Sequence, residues 1–331
     1  MKIVLITKSQ IILSIILILI MLALLFDPNT YMTATLNGIS IWFNNVLPAL
    51  FPFFFLTKLL TSLNVLDKLS VFLKKPMSYL FHCPGVSGFI YIMSIISGYP
   101  VGAKLNSELY LNKSITKDEL VRINSFTSTS GPLFIIGSVG VGMFISHTAG
   151  IIILISHLIG ALLNGLLYRN YGYHKCHTQH SNIPKNTTSM DKLLSDSVYN
   201  SITSILVVGA YIALCSVFIE VLINFHILDI LSVPFNLLGI NPSITTGILT
   251  GIVEMTRGCL ELSGYISTNL NLVVILATAL ISFGGISINL QAITFLSKCN
   301  ISIPFYFFQK LTQTILSVVV CILILLLFPL A

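Results

Sequence analysis

Apolar residues in this chain run for about twenty or more positions at a time, as over 149–168, 198–223 and 305–330, and a helix of that length crosses ~30 Å of hydrocarbon. Backbone groups have no water to bond in lipid, so such runs must be helical. Only 8% of the 331 residues are charged and 55% are hydrophobic, which excludes a soluble domain as the main body. The clearly polar stretches, 29–37 and 171–189, are too short to form a domain of their own. The chain therefore reads as an all-α membrane protein. Residues 11–26 follow Lys2 and Lys8 as a signal peptide would, but no small-residue cleavage site precedes Asp27-Pro28, so a retained helix is expected.

The net charge of +6 accompanies no basic groove pattern, which excludes nucleic acid as a partner and leaves membrane topology as the source of the charge. Cys83, Cys176, Cys215, Cys259, Cys299 and Cys321 are scattered in or beside apolar runs and read as packing residues. His174, Cys176, His177 and His180 cluster in one loop, but their spacing matches no standard zinc pattern, so a metal site is not expected. No nucleophile with a positioned base stands out. Neither an enzyme nor a bound cofactor is expected.

Lys and Arg collect in short cytoplasmic loops, which orients the spans. With Lys2 and Lys8 inside, the first helix leads to 27–37, which has no basic residue, and 38–60 returns to Lys58, Lys68, Lys74 and Lys75. Residues 86–97 are too short to cross. Past Gly98-Tyr99-Pro100 the chain turns polar at Lys104, Asn106 and Glu108, so this segment dips in from the cytoplasm and returns, and Lys113, Lys117 and Arg122 lie on the same side. Residues 125–145 lead out, 149–168 return to Arg169, Lys175, Lys185 and Lys192, and 198–223 lead out again. The basic-free stretch 224–241 is then outside. Residues 243–253, broken by Glu254-Met255-Thr256-Arg257-Gly258, read as a second hairpin entered from outside. Residues 270–296 cross to Lys298, and Lys310 marks the inner start of a last helix that ends outside.

The order of parts repeats. A span (38–60), a hairpin (86–109), a broken helix (125–145) and a plain helix (149–168) are matched by 198–223, 243–265, 270–296 and 305–330. One set starts outside and the other inside, the inverted arrangement of many secondary transporters. The distance from Pro100 to Gly131 is 31 positions and from Glu254 to Gly284 is 30, so tip and break keep their spacing. The expected organisation is a first helix and outer loop (1–37), a first repeat (38–170), a cytosolic loop (171–197) and an inverted second repeat (198–331). The fold class follows: an inverted-repeat transporter fold with two re-entrant helical hairpins and broken transmembrane helices.

Four segments carry candidate ligand-binding chemistry. Ser97-Gly98-Tyr99-Pro100 must interrupt a helix, since glycine costs about 1 kcal/mol and proline about 3. Such a break in a membrane lines a cavity unless it is a surface loop. Thr127, Ser128, Thr129 and Ser130 precede Gly131-Pro132 and supply hydroxyls, either to a ligand or to their own helix. Glu254, Thr256 and Arg257 place opposite charges three apart in an apolar stretch. Either they pair with each other or Arg257 offers its fork to a substrate carboxylate, with Glu254 holding a coupling proton or cation. Gly284 and Gly285 interrupt a span and are followed by Asn289 and Gln291; a close helix crossing is the bland alternative. Asn44, Asn45, Pro48 and Pro52 are weaker candidates.

The motifs SGYPVGAK (97–104), FTSTSGPLFIIGSVGVGMF (126–144), GIVEMTRG (251–258) and SFGGISINLQ (282–291) resemble the sporulation integral membrane protein YlbJ family, also called SpoVV, over nearly the whole chain. That family lies within the group bearing the nucleoside-recognition or Gate domain, which is similar to concentrative nucleoside transporters. The resemblance implies two hairpins and two broken helices around a central site. It also implies a multi-pass place in the outer forespore membrane, N-terminus toward the mother-cell cytosol, and transport of dipicolinic acid during sporulation. A planar dicarboxylate of this kind suits a bidentate Arg and half-helix donors, and Arg257→Lys is then expected to weaken transport. The coupling ion, H+ or Na+, and self-association into a homo-oligomer stay open. A nucleoside carrier and a non-transporting scaffold for the spore envelope are the alternatives.

Overall fold

The computed structural model describes residues 8–62, 65–173 and 190–330, and among them every regular element is helical. The histidine-containing loop from His174 to His180 lies outside these residues, as do Lys2 and the side chains of Asn45 and Lys68.

Helix α1 (Lys8–Phe26) ends at Asp27, whose carboxylate accepts the Thr30 N–H at 3.3 Å and caps α2 (Pro28–Ile41). Asp before Pro is a helix-start signal, an N-cap followed by a residue that needs no N–H partner. The stretch expected as an outer loop is therefore helical, and it meets α1 at 107°. Through one π-helical turn, Trp42–Val46, the chain runs on into α3 (Leu47–Ser62). Helix α4 (Val65–Phe81) then turns 91° into α5 (Val86–Ser97).

Helices α5 and α6 (Val101–Leu111) pack as a pair, with Ser94 against Gly102. Thr116 and Glu119 form a capping box that starts α7 (Lys117–Thr127). After a break at 128–132, eleven residues of π-helix, Leu133–Met143, complete the first broken helix. That helix thus begins at Lys117 rather than at Ser125, because the capping box sets its start.

Helix α8 (His147–Tyr168) and, after the undescribed loop, α9 (Met190–Asn224) and α10 (Ile227–Leu237) follow. Helices α11 (Pro242–Val253) and α12 (Met255–Ser263) fold back on each other, a Cβ on Gly258 colliding with the Gly251 Cα. The second broken helix is α13 (Ile266–Phe283) and α14 (Gly285–Leu296), and α15 (Ile303–Leu327) ends the described chain. The order span, helix pair, broken helix, long helix thus occurs twice.

Among the described residues, four helices are long and apolar enough to cross a bilayer, or up to six if each bent pair counts as one span. The flanks of α1 and α15 expose Leu25, Phe26, Leu326 and Leu327 by 74–75% or more, as lipid-facing helices do. One apolar cluster packs α4–α7 against α9 and α14, and a second packs α8, α12, α13 and α15. The polar breaks lie between them.

Candidate functional site

Each helix pair presses its tip onto a break. Gly98 has φ +73°, and a Cβ there would fall 2.7 Å from the Gly131 nitrogen. On the other side, Gly285 has φ +64°, and its Cβ would lie 3.0 Å from the Gly251 carbonyl oxygen. Only glycine allows this backbone geometry together with this approach.

Between the four ends is a cavity lined by Gly98, Tyr99, Ser130, Glu254, Thr256 and Gln291, with Val46, Leu50 and Ile288 among its apolar walls. All six of these are residues that the sequence singled out. Gly98 and Tyr99 precede α6, Ser130 and Gly131 precede the π-helix, Glu254 to Thr256 open α12, and Ile288 is in the first turn of α14. Residues at or near the N-terminal ends of four half-helices therefore line one space, the end of α12 being capped by the Glu254 carboxylate and the Ser130 N–H being taken by His157. The Gln291 side chain is buried, and its Oε1 has no hydrogen-bond partner. The free volume is about 40 Å³, room for a little water and too small for a drug-sized ligand.

A wider cavity of about 550 Å³ shares Thr256 with this one. Its walls come from both π-helical segments and their flanks, including Asn44, Pro48, Gly137, Ser138 and Met143. On the opposite side, Lys58, Pro100, Lys104 and Glu108 line about 30 Å³. The central cavity and the wide one thus share a wall at Thr256, whereas the small one has no lining residue in common with either.

The other candidates divide by role. Thr127 donates back to the Ile123 carbonyl at 2.9 Å and Thr129 to Ser94 Oγ at 3.1 Å, so both serve packing. Asn289 closes the second break, donating to the Phe283 and Gly285 carbonyls and accepting from the Tyr306 hydroxyl. Ser97 is buried at the end of α5, and Gly284 supplies the left-handed turn between α13 and α14. Glu254 caps α12, accepting the Arg257 N–H at 2.8 Å and the Thr256 hydroxyl at 3.0 Å.

Of the two alternatives for Glu254 and Arg257, a pairing of the carboxylate with the guanidinium does not form. That guanidinium lies 4.0 Å from Glu220 and 3.8 Å from Glu261, and Arg257 is not among the cavity's lining residues. One helical turn beyond the cap, its side chain leaves the cavity for the outer face of α12.

Two residues for which the sequence predicts no place in the site join the breaks: from sequence, His157 is expected to lack a positioned partner, and Lys310 to mark a helix start. His157, fully buried, accepts the Ser130 N–H and bonds Ser282 Oγ, both at 2.9 Å. Lys310 is not a marker of the inner surface but is 1% exposed. Its Nζ donates to the Tyr99 hydroxyl at 3.0 Å, Ser128 Oγ at 3.2 Å, the Ser128 carbonyl at 3.4 Å and Gln313 Oε1 at 3.0 Å. Five cysteines are buried and free, as packing residues should be, and Cys176 lies outside the described residues.

No family model matches the sequence, and no solved structure matches it. The sporulation integral membrane protein YlbJ of Bacillus subtilis (strain 168) is 30% identical over 316 residues, covering 88% of this chain and 77% of that protein. Together with the apolar helices, this makes the chain a multi-pass integral membrane protein, and it belongs to the YlbJ family of sporulation integral membrane proteins.

Proposed function

We propose that this protein is a secondary transporter of a small anionic metabolite, dipicolinate as the family resemblance implies, acting in sporulation at the outer forespore membrane. The observation that carries the reading is the convergence of four half-helix N-terminal ends on one cavity. Half-helix ends bind anions in membrane transporters because their N–H groups and dipoles replace water. Family membership supports the cellular setting.

The two helix pairs are taken as hairpins entering from opposite faces, and the two halves as inverted repeats. The matching approaches of Gly98 to Gly131 and of Gly285 to Gly251 support this pairing. In that orientation, with the N-terminus in the mother-cell cytosol, the roomy cavity beside Thr256 is the outward vestibule, and the small central volume is the site with its walls collapsed. Substrate entry then requires a hairpin tip to lift from its break.

A nucleoside is the second reading, favoured by one observation: Glu254 puts a carboxylate on the wall, which sugar hydroxyls could donate to. The decisive experiment is flux of labelled dipicolinate into proteoliposomes holding the purified protein, with and without sodium and proton gradients. Uptake above that of empty liposomes, undiminished by excess nucleoside, is expected. No uptake under any gradient, or competition by nucleosides, would end the anion reading.

A further inference from the structure

Lys310 places a basic amine in the interior that no carboxylate balances among the described residues. It is fully buried, and its four hydrogen-bond acceptors, from Tyr99, Ser128 and Gln313, are all neutral. No carboxylate lies within ion-pair distance of it among the described residues. A charge buried in a membrane protein without a counter-charge costs several kcal/mol and marks a functional position unless something bound completes it.

Satisfying broken backbone does not account for it. The Ser128 carbonyl, freed by the break, already accepts the Gln313 amide at 3.0 Å. A second neutral amide would complete that duty at no charge cost. The ammonium also lies 4.9 Å from the centre of the Tyr99 ring, and Tyr99 is part of the cavity wall.

We propose that Lys310 supplies the positive charge that makes the central cavity select anions over neutral ligands of the same shape, acting through Tyr99 and the low-dielectric wall. Its role is that of a charge-setting, positioning residue one layer behind the contacts. Arg257, the other cation near the site, already has Glu220 and Glu261 beside it. The inference rests on the anion reading above and specifies which side chain enforces it.

The test compares binding of pyridine-2,6-dicarboxylate, pyridine-2-carboxylate and the neutral isostere pyridine-2,6-dicarboxamide to the full chain in nanodiscs. Wild type is expected to prefer the carboxylates. Lys310→Met should lose tenfold or more for the carboxylates and change little for the diamide, and Lys310→Arg should restore the preference. Lys310→Gln, which keeps a hydrogen bond to Tyr99 or Ser128, is measured alongside in case Met at this position prevents folding, and should behave as Met does.

Carboxylate binding within twofold of wild type in a folded neutral variant overturns the proposal, as does a wild type that binds acid and diamide equally. If the monocarboxylate binds in a Lys310-dependent way while the dicarboxylate does not, the charge assignment stands and the dipicolinate reading alone falls.

Discussion

His157 Nε2 accepts the backbone N–H of Ser130 at 2.9 Å, and this one bond decides the state of the ring. An accepting Nε2 has no proton, so the neutral ring carries its hydrogen on Nδ1 and donates it to Ser282 Oγ at 2.9 Å. The imidazole thereby joins the first break to the end of α13 just before the second.

Leucine in place of His157 fills similar space but leaves the Ser130 N–H and the Ser282 hydroxyl buried without this partner. Each such loss costs about 1–3 kcal/mol, so His157→Leu should destabilise by about 2–6 kcal/mol. The thermal midpoint of the purified protein should fall clearly, and less so for His157→Gln. A leucine variant that melts with wild type would show that the two bonds carry no stability.

Gly102 sits against the carbonyl of Thr127, where an added Cβ would collide with the backbone oxygen. At Gly137, by contrast, a Cβ would meet only the Leu133 side chain at 3.6 Å. Gly102→Ala must push the α5–α6 pair from the first broken helix, a strain of about 1–3 kcal/mol. It should lower both the melting temperature and dipicolinate flux, while Gly137→Ala should leave the melting temperature near wild type. Equal tolerance of the two would contradict the close approach.

Arg257 gives the opposite expectation from its place in the sequence. Its side chain is 22% exposed and stands between Glu220 and Glu261 at the edge of ion-pair distance. Pairs of this kind contribute roughly 0–1 kcal/mol. Arg257→Gln should therefore lower stability slightly and leave dicarboxylate affinity within about threefold. A loss of tenfold or more in affinity, with folding intact, would return Arg257 to the binding site.

The place of Arg257, beside Glu220 and Glu261 and outside the cavity lining, shows what the chain does and does not display. Helix breaks were legible because glycine and proline act locally: Gly98, Gly131 and Gly284 stand at the breaks that the structure contains. The cavity residues followed, since they flank those breaks. Cap geometry is local too, yet it sends residues three apart in opposite directions, so Glu254 turns inward while the Arg257 side chain does not.

Lys310 was missed for a different reason. Near the end of a span a lysine reads as a topology marker, and charge counting alone takes it as one. The period was the better signal, because Tyr306, Gln309, Lys310, Gln313 and Ser317 recur every three or four residues along α15 and all are buried. A polar stripe on an apolar helix faces protein, not lipid. His157 needed tertiary information, since both its partners are distant in sequence.

Glu254 combines a cap with a cavity wall, and two substitutions separate these duties. Alanine removes the acceptor of the Arg257 N–H and the Thr256 hydroxyl, a capping loss of about 0.5–2 kcal/mol. Glutamine keeps one oxygen for the cap but abolishes the charge. Glu254→Gln should melt closer to wild type than Glu254→Ala does. If the carboxylate is the group that must be neutralised before an anion can enter, Glu254→Gln should also bind dipicolinate at least as well as wild type, and its flux should no longer respond to a proton gradient. Proton-driven flux that survives in Glu254→Gln would move the coupling step to another residue, because glutamine has no proton to exchange.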